Sequence, residues 1–250
     1  MKKYIYSFLV AVSVMGLTSC MEVDNFDEPE AQISGKIIDK TTGENYLTDQ
    51  GDVHLRIWEK SYSLNPAPQD LNVKGDGTYH REKLFAGTYD MLAYDGSWWP
   101  CDTIRNVAIG KSNSATQNFE VTPYLKIKDF QCSLGEETAD GMVVLTMSCR
   151  LFAPITEELP QVREIRPFIS INEHCGASNH LDYYYKDEYR INLRKSWSAL
   201  GDMTTGEGNT TYEIKVPVKR GYHYWVRMGA NVNDVHMKYN YSEIKEVVVP

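Results

Sequence analysis

The chain is short of positive charge, with 26 Lys and Arg against 34 Asp and Glu and a formal net charge of −8 at pH 7. Nucleic-acid binding depends on basic side chains that neutralise phosphates. This deficit therefore excludes a nucleic-acid partner from the functions we expect.

Catalytic and metal-binding motifs are missing as well. The sequence has no His-Glu-x-x-His, no Gly-x-Ser-x-Gly, no phosphate-binding loop and no Cys-x-x-Cys, and these motifs would mark the corresponding enzymes and zinc sites. Carboxylates are numerous, but no pair can be assigned to glycoside hydrolysis from sequence alone. We predict a protein that is not an enzyme and that carries no cofactor.

One loop contains metal-ligand residue types without a recognisable motif. His174 and His180 lie there with Glu173, Cys175 and Asp182, and each of these side chains can bind a metal. An ordinary polar loop explains the same residues better, so we predict no metal site.

Beyond position 20 the chain has four cysteines, Cys101, Cys132, Cys149 and Cys175. Alternation through residues 143–149 puts Cys149 on an apolar face, where a free thiol is inert. A Cys132–Cys149 disulfide is the alternative outside the cytoplasm, and the sequence leaves both open.

Long apolar runs are absent after residue 20, so no later segment is predicted to span a bilayer. The N-terminus itself is different. Met1-Lys2-Lys3 precedes an uncharged, mostly apolar stretch over residues 4–17. A basic start and a short apolar run predict a signal peptide, here residues 1–19.

The signal peptide ends in Leu17-Thr18-Ser19-Cys20, which resembles the bacterial lipobox. The resemblance implies that Cys20 is lipidated and becomes the mature N-terminus, and several acyl chains would anchor the protein stably to a membrane. The alternative is an ordinary signal peptide that happens to contain a cysteine.

Residues 20–30 form the predicted tether. Five of the ten residues after Cys20 are acidic, none is basic, and Pro29 opposes a regular helix, which is typical of a flexible segment. The segment resembles the acidic signal of surface-exposed Bacteroidota lipoproteins, which implies an outer-membrane location facing the exterior. A plain solvated spacer is the alternative.

Residues 31–122 predict a first β-sandwich, because short alternating strands are separated by glycine turns. Three segments in order, residues 33–43, Gly75–Tyr79 and Leu84–Tyr89, resemble the carboxypeptidase-regulatory-like, transthyretin-like sandwich. The fold class predicted for the whole chain is all-β, with two sandwiches in tandem.

Residues 123–250 predict the second sandwich from seven short strand candidates. The segments 222–230 and 241–247 resemble the last two strands of a fibronectin type III domain. Tyr222, Tyr224 and Val226 lie on the face expected to pack between the sheets, whereas Trp225 is predicted to point the other way.

The lipobox, acidic tether, Gly-Thr-Tyr motifs and fibronectin-like ending together resemble the DUF3823 family of Bacteroidota lipoproteins. This family is found in gene neighbourhoods for outer-membrane glycan capture. The resemblance implies a glycan-binding or accessory role, with an oligo- or polysaccharide and glycan-uptake proteins of the outer membrane as partners.

Two aromatic segments are candidate saccharide sites, because an exposed ring can stack on the C–H face of a sugar. The first is the loop carrying Tyr94, Asp95, Trp98 and Trp99, at an end of the sandwich where binding loops lie. The tryptophans could instead pack beneath the loop or between the domains, since tryptophan is highly buried on average.

The second candidate combines Tyr183, Tyr184 and Tyr185 with Trp197, and Trp225 is a further ring to consider. Packing within a strand or an interface explains these residues equally well.

Our hypothesis is therefore a cell-surface lipoprotein that captures glycans without catalysis. The rival is a structural, adhesion or protein-docking lipoprotein, which a broad exposed apolar patch would favour.

Overall fold

The computed structural model describes residues 28–111 and 114–250. The signal peptide, Cys20 and most of the acidic tether lie outside the described residues. The described chain forms two β domains joined near Pro123, which confirms the predicted all-β class. Within these residues no helix has the length and apolarity needed to cross a bilayer.

The first domain packs two four-stranded sheets against each other. In one sheet β1 pairs with β4, β7 and β8, and in the other the order is β3-β2-β5-β6. The strands are β1 (Ala31–Asp39), β2 (His54–Glu59), β3 (Gln69–Asn72), β4 (Thr78–Leu84), β5 (Gly87–Ala93), β6 (Ile104–Ile109), β7 (Ser114–Thr116) and β8 (Phe119–Val121).

Alternation along the strands builds the core of this domain. In β2, Leu55 and Ile57 are fully buried while Arg56 between them faces the other way and pairs with Asp70. Successive side chains of a strand point to opposite faces, so one face of β2 lies in the core. Strand β3 has no counterpart in the sequence prediction because only Leu71 of its four residues is buried.

The second domain packs a three-stranded sheet, β13-β10-β9, against a five-stranded sheet in which β11 and β14 are central. Three 3₁₀ turns, at Asp182–Tyr184, Asp187–Tyr189 and Trp197–Ala199, lie between its strands. The strands are β9 (Lys126–Glu137), β10 (Val143–Phe152), β11 (Val162–Ser170), β12 (Ile191–Lys195), β13 (Glu207–Val218), β14 (His223–Val232), β15 (Tyr239–Tyr241) and β16 (Lys245–Val248).

Strand β10 shows the predicted alternation most clearly. Leu145, Met147 and Cys149 are fully buried. Cys132 on the neighbouring strand β9 pairs in register with Met147. All four described cysteines are free thiols, so the Cys132–Cys149 disulfide is not formed here.

Strand β14 is buried on both faces, which alternation alone does not predict. Its inner face, with Val226 and Met228, lies between the sheets, and its outer face, with Arg227, contacts the first domain. The expectation that Tyr222 faces the core is wrong. Its side chain is 49% exposed because the residue precedes the strand.

Candidate functional site

The loop after β5, residues 94–100, reaches the junction of the two domains. Trp98 turns back into the first domain, where its ring meets Tyr46 edge-on at 5.0 Å and is only 4% exposed. Gly96 makes this possible, because a Cβ there would lie 1.8 Å from Cζ3 of the Trp98 ring. The expectation that Trp98 offers an exposed stacking ring is therefore wrong, since packing beneath the loop buries it.

Trp99 lies half-buried on the other side of the loop. Its ring packs against Tyr124 at 5.2 Å, and within the described chain its buried indole Nε1 has no hydrogen-bond acceptor. Trp99 therefore helps to pack the first domain onto the start of the second, which was the alternative left open by the sequence.

Asn240 of the second domain fixes the loop in place. Its Nδ2 donates to the Ser97 carbonyl at 2.8 Å and to the Tyr46 hydroxyl at 3.0 Å. Its Oδ1 accepts from Ser97 Oγ at 2.9 Å and from the Leu125 amide at 3.0 Å. Because Asn240 is buried, these four bonds hold the two domains in one arrangement around residues 94–100.

A cleft of about 230 Å³ opens beside this loop, at the junction. We call it the Tyr94 cleft. The first domain and the linker supply an aromatic wall, and residues 234–236, between β14 and β15, supply the opposite wall. Its principal lining residues are Tyr94, Gly96, Trp98, Tyr124, Asp234 and His236.

Tyr94 is the most accessible of the predicted rings in this cleft. The Arg56 guanidinium lies 3.5 Å from its ring centroid, and His236 meets it edge-on at 5.3 Å. A cation over a ring face is attracted by the ring quadrupole, so Arg56 fixes the orientation of Tyr94. Trp98 contributes to the lining without exposing much of its ring.

Asp95 faces away from the cleft, toward His54. Its Oδ1 accepts the His54 backbone amide at 2.6 Å, and its Oδ2 lies 2.7 Å from the His54 Nδ1. These bonds join the first residue of β2 to the loop. Asp95 therefore helps to hold the part of the loop that carries Tyr94.

The polar groups of the Tyr94 cleft suit hydrogen bonding to hydroxyls. Asp234 and His236 are half-buried, and burial together with the charge of nearby Asp234 raises the pKa of the Tyr124 hydroxyl, which stays protonated. Burial also raises the pKa of the Cys101 thiol in the lining, so this cysteine is a poor nucleophile.

The second predicted segment is divided between core and surface. Trp197 is 1% exposed and Tyr184 is 4% exposed, so the expectation of open rings is wrong for both. Trp197 packs over Gly201, and the Tyr184 hydroxyl lies 3.1 Å from that of Tyr224.

Tyr185 is half-buried, stacked on His180 at 4.0 Å with the Arg166 guanidinium 4.1 Å from its centroid. Tyr183 is 52% exposed and has the ammonium groups of Lys186 and Lys219 at 4.8 and 5.4 Å from its ring. Tyr183 is thus the one residue of this set with an open ring.

Trp225 lies on the outer face of β14, as the alternation predicted, but it is half-buried. It packs beside Phe168, Cys175, Tyr239 and Tyr241, a small cluster outside the main core. Its ring supports the sheet rather than standing free.

The loop at His174 and His180 holds no group of three or more metal-ligand side chains, in the residues that the structure describes. It borders a second junctional cleft, of about 390 Å³, which we call the Asp49 cleft and which is lined by Asp49, Gln50, Asp76, Glu173, Glu243 and Ile244 among others. No Phe, Tyr or Trp from residues 28–111 or 114–250 lines it, so these residues give it no aromatic surface on which a sugar ring can stack.

Buried Arg227 closes the floor of the Asp49 cleft. Its guanidinium donates to the carbonyls of Thr48, Cys175 and Ser242 at 2.7 to 3.1 Å, and burial lowers its pKa. Arg227 thus connects three segments, one of them from the first domain, instead of pointing at a ligand.

Tyr124, Asp234 and His236 could not be predicted as site residues from the sequence. They are far from residue 94 along the chain, and no motif marks them. The one available signal was the turn-forming sequence Asn231 to Asp234 after a long apolar strand, which predicts a loop but not its position beside Tyr94.

The geometry defines a class of protein: a tandem β-sandwich with an aromatic cleft where its two domains meet. The chain belongs to the DUF3823 family. The model of the family's N-terminal domain matches residues 31–122 and that of its C-terminal domain, DUF3823_C, matches residues 125–246. The resemblance read from the sequence is confirmed.

Solved structures share this fold. A proposed carbohydrate-binding protein from Bacteroides uniformis ATCC 8492 aligns with a TM-score of 0.71 and 21% identity, covering 88% of this chain and all of that one. A DUF3823 family protein from the same strain aligns at 0.70 with 23% identity, covering 89% of this chain and 100% of its own.

A third similar structure is a DUF3823 family protein from Parabacteroides merdae ATCC 43184, with a TM-score of 0.62 and 19% identity over 88% of this chain and 100% of that chain. None of the three carries the name of an enzyme. No curated protein matches the sequence.

Proposed function

We propose that the protein is a lipid-anchored, surface-exposed saccharide-binding module of the outer membrane, and that it binds saccharide in the Tyr94 cleft without catalysis. The observation that carries this proposal is the composition of that cleft. An oriented tyrosine ring lines one cleft together with Asp234 and His236 at a domain junction, and His236 contacts the edge of the ring system.

Binding sites of this kind combine an apolar wall with a few converging polar groups, and they occur preferentially between domains. The Tyr94 ring would stack on the C–H face of a sugar, and Asp234 and His236 would bond its hydroxyls. The carbohydrate-binding description of the similar Bacteroides uniformis protein agrees with this role.

A glycan array and affinity gel electrophoresis of the purified protein test the binding. We expect Tyr94→Ala to weaken retention by a bound glycan about tenfold, because it removes the stacking surface. Tyr222→Ala is the control, since Tyr222 is an exposed tyrosine that lies outside the cleft, and it should leave retention within about twofold of wild type.

Circular dichroism would confirm that both variants fold. Retention that survives Tyr94→Ala would place the site elsewhere, and the exposed Tyr183 ring would be the next candidate. Failure of the wild type to bind any glycan would reject the proposal in favour of a structural or protein-docking role.

The anchor is tested separately. We expect wild-type protein in a Bacteroidota host to incorporate labelled palmitate and to be degraded by protease added to intact cells. Cys20→Ser should abolish the label, whereas Cys101→Ser, which leaves the lipobox intact, should keep it. Label that persists in Cys20→Ser would contradict lipidation at this residue.

A further inference from the structure

A third cleft, of about 310 Å³, adjoins the Tyr94 cleft on the second domain. We call it the Arg194 cleft. It is polar and carries two guanidinium groups and two amide side chains, from Gln161, Arg163, Arg194, Asn233 and Met237.

The two arginines lack the carboxylate partners that others in this protein have. Arg56, Arg166 and Arg190 each lie within 3.1 Å of an Asp or Glu oxygen. Among the described residues, no carboxylate lies within 4.0 Å of either Arg163 or Arg194, and Arg163 donates only to the Met237 sulfur, at 3.4 Å. Their charge is therefore available to an external anion.

Two irregularities of the sheet coincide at these arginines. Val162 and Glu164 pair with the adjacent residues Val232 and Asn231 of β14, so Arg163 is an extra residue on β11. On the other side the same two residues pair with Lys195 and Asn192 of β12, so β12 also carries one extra residue, within the irregular stretch that contains Arg194. Such bulges redirect side chains out of the regular pleat.

Arg194 also has a φ of 48°, a left-handed conformation that non-glycine residues seldom adopt. The bulge and this conformation together set the direction of its side chain at the cleft.

The Arg194 cleft and the Tyr94 cleft share one loop. Asn233 and Met237 line the former, and the three residues between them line the latter. Because consecutive Cα atoms lie about 3.8 Å apart, residues of this one loop that line the two clefts are close neighbours. Asp234, an acidic residue of this loop, accepts a hydrogen bond from the Met237 backbone amide at 2.6 Å.

We propose that the Arg194 cleft is an anion subsite, which binds the carboxylate or sulfate of an acidic saccharide whose neighbouring sugar ring lies on Tyr94. This rests on the proposed saccharide-binding function. Arginine binds carboxylates and sulfate-like anions through paired N–H donors, and Gln161 and Asn233 add amide donors at the rim.

The net negative charge of the protein bears on whether it can retain an acidic glycan. A protein with a net charge of −8 repels polyanions in general, so retention of an acidic glycan requires a local positive site.

Affinity gel electrophoresis with two matched pairs of polysaccharides tests the proposal. Polygalacturonate and dextran sulfate carry the anions, and methyl-esterified polygalacturonate and dextran are their uncharged counterparts. We expect wild-type protein to prefer at least one charged member over its counterpart, and Arg163→Gln/Arg194→Gln to weaken that retention at least tenfold. The pair that shows the preference identifies carboxylate or sulfate as the recognised group.

Arg81→Gln/Lys83→Gln is the charge-matched control, because both side chains are exposed on β4 of the first domain. It should stay within twofold of wild type. If Arg163→Gln prevents folding, Arg194→Gln alone tests the same subsite from an exposed position.

The outcomes separate this subsite from the proposed function. Wild-type protein that binds only uncharged glycans would overturn the anion subsite and leave saccharide binding intact. Equal weakening by the control pair would also overturn it, because the effect would then be general electrostatics. No retention by any glycan would overturn both proposals.

Discussion

Two aromatic segments of this protein, residues 94–100 and residues 183–201, are built on the same plan. Each buries a tryptophan, Trp98 or Trp197, against a glycine whose missing Cβ leaves room for the indole. Each also presents a tyrosine with cations at its ring, Arg56 at Tyr94 and Lys186 and Lys219 at Tyr183.

The segments differ in what surrounds the tyrosine. Tyr94 lies at the domain junction, where His236 and Asp234 of the other domain complete a cleft. Tyr183 stands on the second domain, and its neighbours Tyr184 and Lys219 belong to that same domain. Tyr94 is therefore the stronger candidate, because the second domain adds polar side chains to its cleft.

The largest expected effect concerns the buried tryptophans, which should behave alike despite the difference between their loops. Trp98→Ala and Trp197→Ala should each lower the free energy of unfolding by about 3–5 kcal/mol, because each empties a packed position. Chemical denaturation measures both. A loss below about 0.5 kcal/mol, typical of surface positions, would show that the ring is exposed in solution.

Asn240 should distinguish the two segments, because it holds only the first. Asn240→Ala removes four hydrogen bonds of the junction and leaves buried partners unpaired, with an expected loss of about 2–4 kcal/mol. The same change should weaken glycan retention through the Tyr94 cleft. Asn65→Ala, at an exposed position, is the control, and equal losses in the two variants would contradict the role given to Asn240.

Glu164 supports the second segment from within its own domain. It accepts hydrogen bonds from Tyr239 and Arg190 and lies 3.4 Å from Arg166, whose guanidinium packs on Tyr185. Burial alone would raise its pKa, but these partners lower the pKa below the ordinary 4.5. Its carboxylate therefore stabilises the fold above pH 4.5, and this contribution is lost as the pH falls through the lower folded pKa.

We expect Glu164→Gln to cost about 1–3 kcal/mol at pH 7, because two arginines lose a charged partner. The cost should shrink as the pH falls below about 4.5. Denaturant unfolding of both proteins between pH 3 and pH 7 measures the difference, with exposed Glu157→Gln as the control. A cost independent of pH would refute a charge-based role.

The smallest effect is expected at Tyr183. Because its ring is 52% exposed, Tyr183→Ala should change the free energy of unfolding by less than about 0.5 kcal/mol. It should also leave glycan retention unchanged, in contrast to Tyr94→Ala. If retention were lost instead, the surface around Tyr183 on the second domain would be the binding site.

Much of the fold could be predicted, because alternating apolar residues and turn-forming residues mark strands and turns locally. The all-β class follows from the alternation and the glycine turns, and Cys149 lies on the buried face of β10 as its alternation indicates. Strands β3 and β15 were missed since they are short, and β15 is buried by contacts on both sides rather than alternating.

The candidate site was predicted only in part. The Gly-Ser-Trp-Trp-Pro sequence located the loop correctly, but the same residues are compatible with exposed or buried indoles. Which tryptophan is buried depends on the space beside Gly96 and on Tyr46 and Tyr124 from elsewhere in the chain.

The β class, the family and the position of the aromatic loops could be predicted from the sequence, because hydrophobic alternation and turn residues act between near neighbours. Tertiary structure alone determines which rings are exposed, that Asp234 and His236 line the same cleft as Tyr94, and that Arg163 and Arg194 line a separate cleft formed by the same loop. Contacts such as that between Tyr94 and His236 join residues more than sixty positions apart through the packing of two domains, and no local preference encodes such packing.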